Sequence, residues 1–182
     1  SLVQMGGSHC TLEYARQTVK WDKPIPMETF EFGITRDFLD EGRIVVFTSA
    51  GDMRRAAVDV WFEVVKQTYA SWLPGKPLFV LHDLSAPGNA MTPYLRQKAY
   101  ALYEIDLAHI PAGRIAVAAP DTLLMRLMAI LLRERDKRFR RNAQRIFASR
   151  GDALRWLREQ RTIVEREFVP VNPFATLSEA QR

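Results

Sequence analysis

Hydrophobic and polar positions alternate near the start of the chain in the pattern of a β-strand. Phe30, Phe32 and Ile34 alternate with charged or small residues, which is the two-residue period of a half-buried strand. A second apolar segment, 43–48, follows the turn sequence Asp40-Glu41-Gly42. Two strands so close together in sequence predict an antiparallel hairpin.

Strands and helices alternate after the hairpin. Leu78 to Leu81 is a continuous apolar run, typical of a central strand that is covered on both faces. Helical spacing of apolar residues or a helix-start signal predicts the helices. The elements after the hairpin are a helix from Gly51-Asp52 to about Tyr69, the strand at 78–81, a helix from Thr92-Pro93 to about Asp106, a strand at 115–118, a helix from Pro120-Asp121 to about Arg135, a strand at 143–148, and a helix that begins at Gly151-Asp152.

The resulting order, β-β-α-β-α-β-α-β-α, predicts an α/β fold. We expect a mixed five-stranded sheet with about four helices, in which right-handed crossovers connect parallel strands and the hairpin strand lies at one edge. The 182 residues suit one domain. We assign it to residues 27–168, preceded by an N-terminal arm at 1–26 that is partly disordered or derived from cloning, and followed by a C-terminal tail at 169–182.

The third predicted helix is apolar around most of its circumference. At 100° per residue its leucines, isoleucine and methionines cover roughly 220°, whereas a helix on a sheet needs a stripe of about 100°. We predict that Leu123, Leu124, Leu127 and Leu131 pack on the sheet. The surplus face, Met125, Met128 and Leu132, would then contact a neighbouring helix, a second copy of the chain or an apolar ligand.

Composition and charge narrow the class of protein. Hydrophobic residues make up 47% of the chain and charged residues 26%, which excludes a mostly disordered chain. We expect a cytoplasmic protein without a membrane span, since Cys10 is the single cysteine and neither a signal sequence nor a long uncharged apolar run is evident.

Positive charge is concentrated late in the chain. Residues 126–166 contain 13 Lys/Arg against 5 Asp/Glu. Such asymmetry can mark a surface for nucleic acid or anionic membrane. We interpret it as a solvated helix end and loop, and we expect no nucleic-acid partner.

The residues that could carry chemistry follow the central strand. His82 and Asp83 lie where that strand ends, the edge at which α/β proteins commonly place their sites, and Ser85 follows in the loop. A histidine can act as an acid or base near neutral pH, but no Gly-x-Ser-x-Gly motif, phosphate-binding loop or dinucleotide fingerprint accompanies it. We therefore expect His82 and Asp83 to order the loop, and we expect no catalysis, metal or cofactor.

Two local motifs support a family resemblance. One is the strand Arg114 to Ala118 followed by a helix, and the other is the ending Ile146 to Leu157, with its strand, small polar turn and Ala-x-x-Trp-Leu helix. With the element order, they resemble the SpoIIAA-like fold of anti-sigma-factor antagonists and of the STAS domains of sulphate transporters. The resemblance covers about residues 28–160. It implies a non-enzymatic regulatory domain that binds a protein partner or itself as a homodimer.

The resemblance also implies a switch position at the second helix. In the antagonists a serine in the pattern Asp-Ser-Ser-Gly is phosphorylated there, and the matching stretch here is 90–93, which leaves Thr92 in the phosphorylatable place. Independently, Thr92-Pro93 predicts a helix start in which the threonine caps free amides. The alternative function is that of a carrier or sensor of an apolar, lipid-like ligand, since CRAL-TRIO domains are similar in general architecture.

Overall fold

Six strands form one mixed sheet in the order β1-β2-β3-β4-β5-β6. The computed structural model describes residues 26–102, 110, 112–136 and 142–168. The strands are β1 (Glu28–Thr29), β2 (Ile34–Leu39), β3 (Ile44–Ser49), β4 (Leu78–Asp83), β5 (Gly113–Ala118) and β6 (Asn142–Phe147), and the helices are α1 (Arg55–Ala70), α2 (Pro93–Ala101), α3 (Leu123–Asp136) and α4 (Arg150–Phe168).

Among the described residues, the predicted α/β class, mixed sheet and four helices are confirmed. The antiparallel hairpin lies at the predicted side of the sheet, but its strand β2 is not the edge strand, because β1 lies outside it. β2 pairs antiparallel with β3, and β3, β4, β5 and β6 are parallel neighbours. The described helix between the strands of each parallel pair is α1, α2 or α3 in turn. Because crossovers of one hand between successive neighbours place their helices on the same side, these three helices share one face of the sheet.

The prediction of five strands is wrong, and the first strand was misplaced. The segment Phe30 to Gly33 is a tight turn, in which Glu31–Gly33 forms a 3-10 helix and the Phe30 amide donates to the Ile34 carbonyl at 2.8 Å. Phe32 and Gly33 both have left-handed backbones, with φ of 59° and 67°. The chain therefore folds back here, so that the short β1 pairs with β2 as a sixth strand.

Two apolar clusters cover the two faces of the sheet. The larger lies beneath α1, α2 and α3, and it includes Phe47, Trp61, Val80, Leu95 and Met125. Among the described helices, only α4 covers the other cluster. Its residues are Ile44, Val46, Phe79, Leu81, Ala112, Ala116, Ala118, Ala153, Trp156, Leu157 and Val164.

Ion pairs attach α4 to the turn between β2 and β3. Arg158 donates two hydrogen bonds to Asp40, each at 3.0 Å, and Arg161 donates a third at 2.9 Å. Arg43, next to this turn, pairs with Glu165 at 3.1 Å. These contacts thereby connect α4 to the hairpin of β2 and β3.

Helix ends differ from the predictions by a few residues. α1 begins at Arg55 rather than at Gly51-Asp52. The described part of α2 ends at Ala101, so the predicted extension to Asp106 falls on residues outside the described ranges. The predicted tail at 169–182, and the predicted arm apart from Pro26, also lie outside them. No helix in the described part of the chain is long and apolar enough to cross a bilayer.

Candidate functional site

The imidazole of His82 lies inside the cluster beneath α1. It stacks on Phe47 with ring centroids 5.4 Å apart and meets the edge of Trp61 at 5.3 Å, while its Nε2 is 3.4 Å from the hydroxyl oxygen of Tyr69. Burial lowers the pKa of His82 to about 3, because a charged ring would lose its hydration here. At neutral pH the ring is uncharged and acts as an aromatic packing residue.

The carboxylate of Asp83 lies on the opposite face of the sheet from His82, since side chains of consecutive strand residues point to opposite sides. Asp83 is buried. Its Oδ1 accepts hydrogen bonds from the Ser85 amide at 3.1 Å and the Ser85 hydroxyl at 2.6 Å, and its Oδ2 is 3.4 Å from an Arg150 guanidinium nitrogen. Asp83 therefore joins the loop after β4 to the beginning of α4, and the two neighbours in sequence cannot exchange a proton directly.

Thr92 caps α2 in the way that the Thr-Pro pattern predicts. Its hydroxyl oxygen accepts a hydrogen bond from the Leu95 amide at 3.1 Å, and Pro93 occupies the first helical position. The preceding loop is tied to the end of β3, where the Asn89 side-chain amide donates to the Ser49 carbonyl at 3.3 Å. Thr92 is half-buried and engaged in this cap, at the position that the resemblance assigns to phosphorylation.

The predicted orientation of α3 is wrong. Met125 is buried in the cluster with Met53 and Leu95, while Leu123 and Leu127, predicted to pack on the sheet, are 75% and 51% exposed. The helix is turned by about half a revolution, since Met125 lies about 200° from Leu123 at 100° per residue. An apolar arc wider than half the circumference does not determine which side faces the sheet.

The other residues of the predicted contact face of α3 are less informative. Met128 is half-buried. The side chains of Leu132, and of Leu124 and Leu131, which were predicted to pack on the sheet, lie outside what the structure describes.

The exposed side of α3 is a continuous aliphatic surface, which we call the α3 ridge. It consists of Leu123, Leu127 and Ile130, the last 57% exposed. At 100° per residue the three positions lie within about 60° of one another. Arg126 borders the ridge and forms two hydrogen bonds to Asp121, at 2.8 and 2.6 Å. This arginine, three residues after Leu123 and four before Ile130, is the sequence signal that could have identified the outward side.

Several arginines of the basic region are engaged within the protein. Besides Arg126, the described ion pairs in this region are Arg150–Asp83, Arg155–Asp152, Arg158–Asp40, Arg161–Asp40 and Arg161–Glu165. The Arg145 guanidinium lies over the Trp156 ring at 5.3 Å. Much of the described charge therefore connects elements of the fold.

No protein-family model, curated protein or solved structure matches this chain. The function is therefore inferred from the side chains of the described residues.

Proposed function

We propose that this protein is a non-enzymatic regulatory or protein-interaction domain of the SpoIIAA-like kind, which binds a partner through the α3 ridge. The element order supports the family assignment: an antiparallel hairpin leads into successive parallel strands, each connected by one helix, and a last helix covers the other face. The observation that carries the function is the exposure of Leu123, Leu127 and Ile130 together on one side of α3.

A contiguous aliphatic surface favours binding. Isolated exposed apolar residues are common on soluble domains and need no explanation. Three large side chains in line on one helix are different, because burying each against a partner would contribute about 1.5–3 kcal/mol before the cost of association. Neighbouring Thr122 accepts a hydrogen bond from the Met125 amide at 3.3 Å, which holds the first turn of α3 and therefore Leu123 in helical geometry.

The strand-end residues support a binding role without catalysis. His82 is neutral and enclosed by aromatic rings, while the hydrogen bonds of Asp83 hold Ser85 and Arg150. These contacts give both residues a structural task. They also support placing the function on the outer surface rather than at the carboxyl ends of the strands.

The test compares two exposed aliphatic positions on opposite faces of the domain. Leu127→Glu changes the ridge, and Ile163→Glu, on α4, is the matched control, since Ile163 is 48% exposed. Tagged wild type and both variants would be isolated from cells and the bound proteins quantified by mass spectrometry. We expect a partner retained by wild type and Ile163→Glu and reduced at least about tenfold by Leu127→Glu.

Two further measurements make this test decisive. Circular dichroism and thermal unfolding should be unchanged in both variants, because both side chains lie at the surface. With the purified partner, hydrogen exchange should show protection over residues 123–130. Identical partner recovery by all three proteins would contradict the proposed site.

A further inference from the structure

An open cavity lies on the outer side of α2. Its volume is about 490 Å³, and the described residues that line it are Pro93, Arg96, Gln97, Tyr100 and Ala101. Small-molecule sites in proteins commonly have volumes of about 300–1,000 Å³. The cavity therefore has room for a small organic molecule.

The other sides of α2 are engaged in the fold, which fixes the direction that the cavity faces. Leu95 is buried in the cluster beneath the helix. The Tyr94 hydroxyl donates a hydrogen bond to Asp59 of α1 at 2.5 Å, and the Lys98 ammonium lies 3.0 Å from the same carboxylate. These contacts hold α2 so that the lining residues remain accessible from solvent.

Arg96 gives the cavity a positive charge that no described residue neutralises. Its side chain is exposed, and within the described part of the chain neither it nor the neighbouring Gln97 amide has a hydrogen-bond or ion-pair partner. Other arginines of the domain are paired with aspartates, among them Arg126, Arg150, Arg158 and Arg161. Because a guanidinium offers parallel N–H donors that match a carboxylate, the charge at Arg96 favours a ligand with a carboxylate group.

Tyr100 adds an aromatic surface one helical turn after Arg96. It is 51% exposed, and residues four apart lie on the same side of a helix. The side chains of Pro93 and Ala101 contribute further apolar lining. Aromatic rings stack on one another with offset or edge contacts, so this surface favours an anion that also carries a ring over a bare inorganic anion.

We propose that this cavity binds a small aromatic carboxylate. The carboxylate pairs with the Arg96 guanidinium and accepts a hydrogen bond from the Gln97 amide, while the ring lies against Tyr100. The site uses α2 and leaves the α3 ridge free. It therefore gives the domain a small-molecule ligand in addition to the proposed protein partner, and neither proposal depends on the other.

The first test is a titration of the full chain with phenylacetate, followed by the amide resonances in ¹H-¹⁵N NMR spectra. We expect saturable shifts concentrated at residues 93–101. Acetate, which lacks the ring, inorganic phosphate, which also lacks it, and benzyl alcohol, which lacks the charge, should each cause much smaller shifts at the same concentration. No shift in this segment at about 10 mM phenylacetate, an affinity too weak for a specific site, overturns the inference.

The second test removes each contact separately. Arg96→Gln should raise the dissociation constant for phenylacetate at least about tenfold, since a hydrogen bond to a charged group contributes about 1.5–3 kcal/mol. Arg166→Gln is the matched control, because Arg166 is an exposed arginine on α4, without a described ion pair. Tyr100→Phe keeps the ring and should bind like wild type, whereas Tyr100→Ala should bind at least about threefold more weakly.

The outcomes are distinct because all four changes are at exposed positions, and thermal unfolding would verify that each variant is folded. Weaker binding by Arg96→Gln and Tyr100→Ala, with unchanged binding by Arg166→Gln and Tyr100→Phe, supports the site. Equal weakening by Arg96→Gln and Arg166→Gln would show a general response to charge and overturn it. Equal shifts with acetate or phosphate would overturn the aromatic carboxylate as the ligand class.

Discussion

The position of His82 between Phe47 and Trp61 determines how the folded protein responds to acid. Burial lowers its pKa from 6.5 to about 3, whereas in the unfolded chain the ring takes up a proton near its ordinary pKa. Below pH 6.5 the unfolded state therefore binds the extra proton. Neutral His82 therefore makes its full contribution to the free energy of unfolding above pH 6.5. This contribution is lost as the pH falls towards 3, by at most about 1.4 kcal/mol per pH unit.

Replacing His82 by phenylalanine tests this linkage, since phenylalanine retains an aromatic ring and does not titrate. We expect the free energy of unfolding of wild type, minus that of His82→Phe, to decrease by about 1 kcal/mol per unit between pH 6 and pH 4. Urea titrations at pH 7, 6, 5 and 4 would measure it, and the carboxylates common to both proteins cancel. Parallel curves would show that His82 does not titrate in this way.

Thr92 offers a second measurement at the scale of one residue. Thr92→Ala removes the acceptor of the Leu95 amide and should lower the free energy of unfolding by about 0.5–2 kcal/mol. Thr92→Ser keeps the hydroxyl and should remain within about 0.5 kcal/mol of wild type. Equal denaturation midpoints for the alanine and serine variants would count against the cap.

At this scale the sequence predicted a local hydrogen bond, but it did not predict which side of the sheet or helix a side chain faces. The Thr92 cap depends on two neighbouring residues and was predicted from sequence. The separation of His82 and Asp83 onto opposite faces also follows from strand geometry alone, although the sequence interpretation treated them as a pair. The burial of Met125 depends on how α3 meets the sheet, and leucines around the helix left that direction undetermined.

At the scale of elements, α4 holds the hairpin by charge. The hydrogen bond from Arg158 lowers the pKa of Asp40, and the charges of Arg158 and Arg161 act in the same direction. Asp40 and Glu41 both have left-handed backbones in this turn, with φ of 51° and 62°. The turn thus presents one carboxylate to two arginines that lie more than a hundred residues later in the chain.

Asp40→Asn should loosen this attachment and leave the turn intact, since asparagine also tolerates a left-handed backbone. We expect a loss of about 1 kcal/mol of unfolding free energy and faster hydrogen exchange in the second half of α4. Glu41→Gln is the control. Glu41 is largely exposed and its ion pair with Arg43 is long, at 3.7 Å, so this change should alter stability little. Equal effects of the two changes would contradict the specific role of Asp40.

At this scale the order of strands and helices was predicted well from the sequence. The position of the first strand was predicted poorly. Apolar runs separated by glycine and proline identify strands and helices because burial imposes their periods. Phe30, Phe32 and Ile34 imitate a strand, but the positive φ of Phe32 and Gly33 converts the segment into a turn. A bulky residue such as Phe32 rarely has a positive φ, so the sequence pattern did not predict this turn.

For the molecule as a whole, the two apolar clusters share one sheet and should unfold together. Val65 belongs to the cluster beneath α1 and Leu157 to the cluster beneath α4, and both are fully buried. Val65→Ala and Leu157→Ala should each lower the midpoint of one common transition, and Leu157→Ala should cost about 2–5 kcal/mol.

Far-ultraviolet circular dichroism and tryptophan fluorescence should report the same transition in each variant. Ile163→Ala, at an exposed position of α4, should cost less than about 1 kcal/mol. Two separate transitions in either core variant would show that the faces fold independently.

The covering of one whole face by α4 has a consequence during synthesis on the ribosome. A nascent chain that ends after β6 contains all six described strands, yet among the described elements only α4 covers Ile44, Val46, Phe79 and Leu81, and it has not yet been made. The incomplete domain would therefore be a substrate for chaperones that recognise aliphatic segments. Its release from them should coincide with the emergence of Leu157 and Val164 from the exit tunnel.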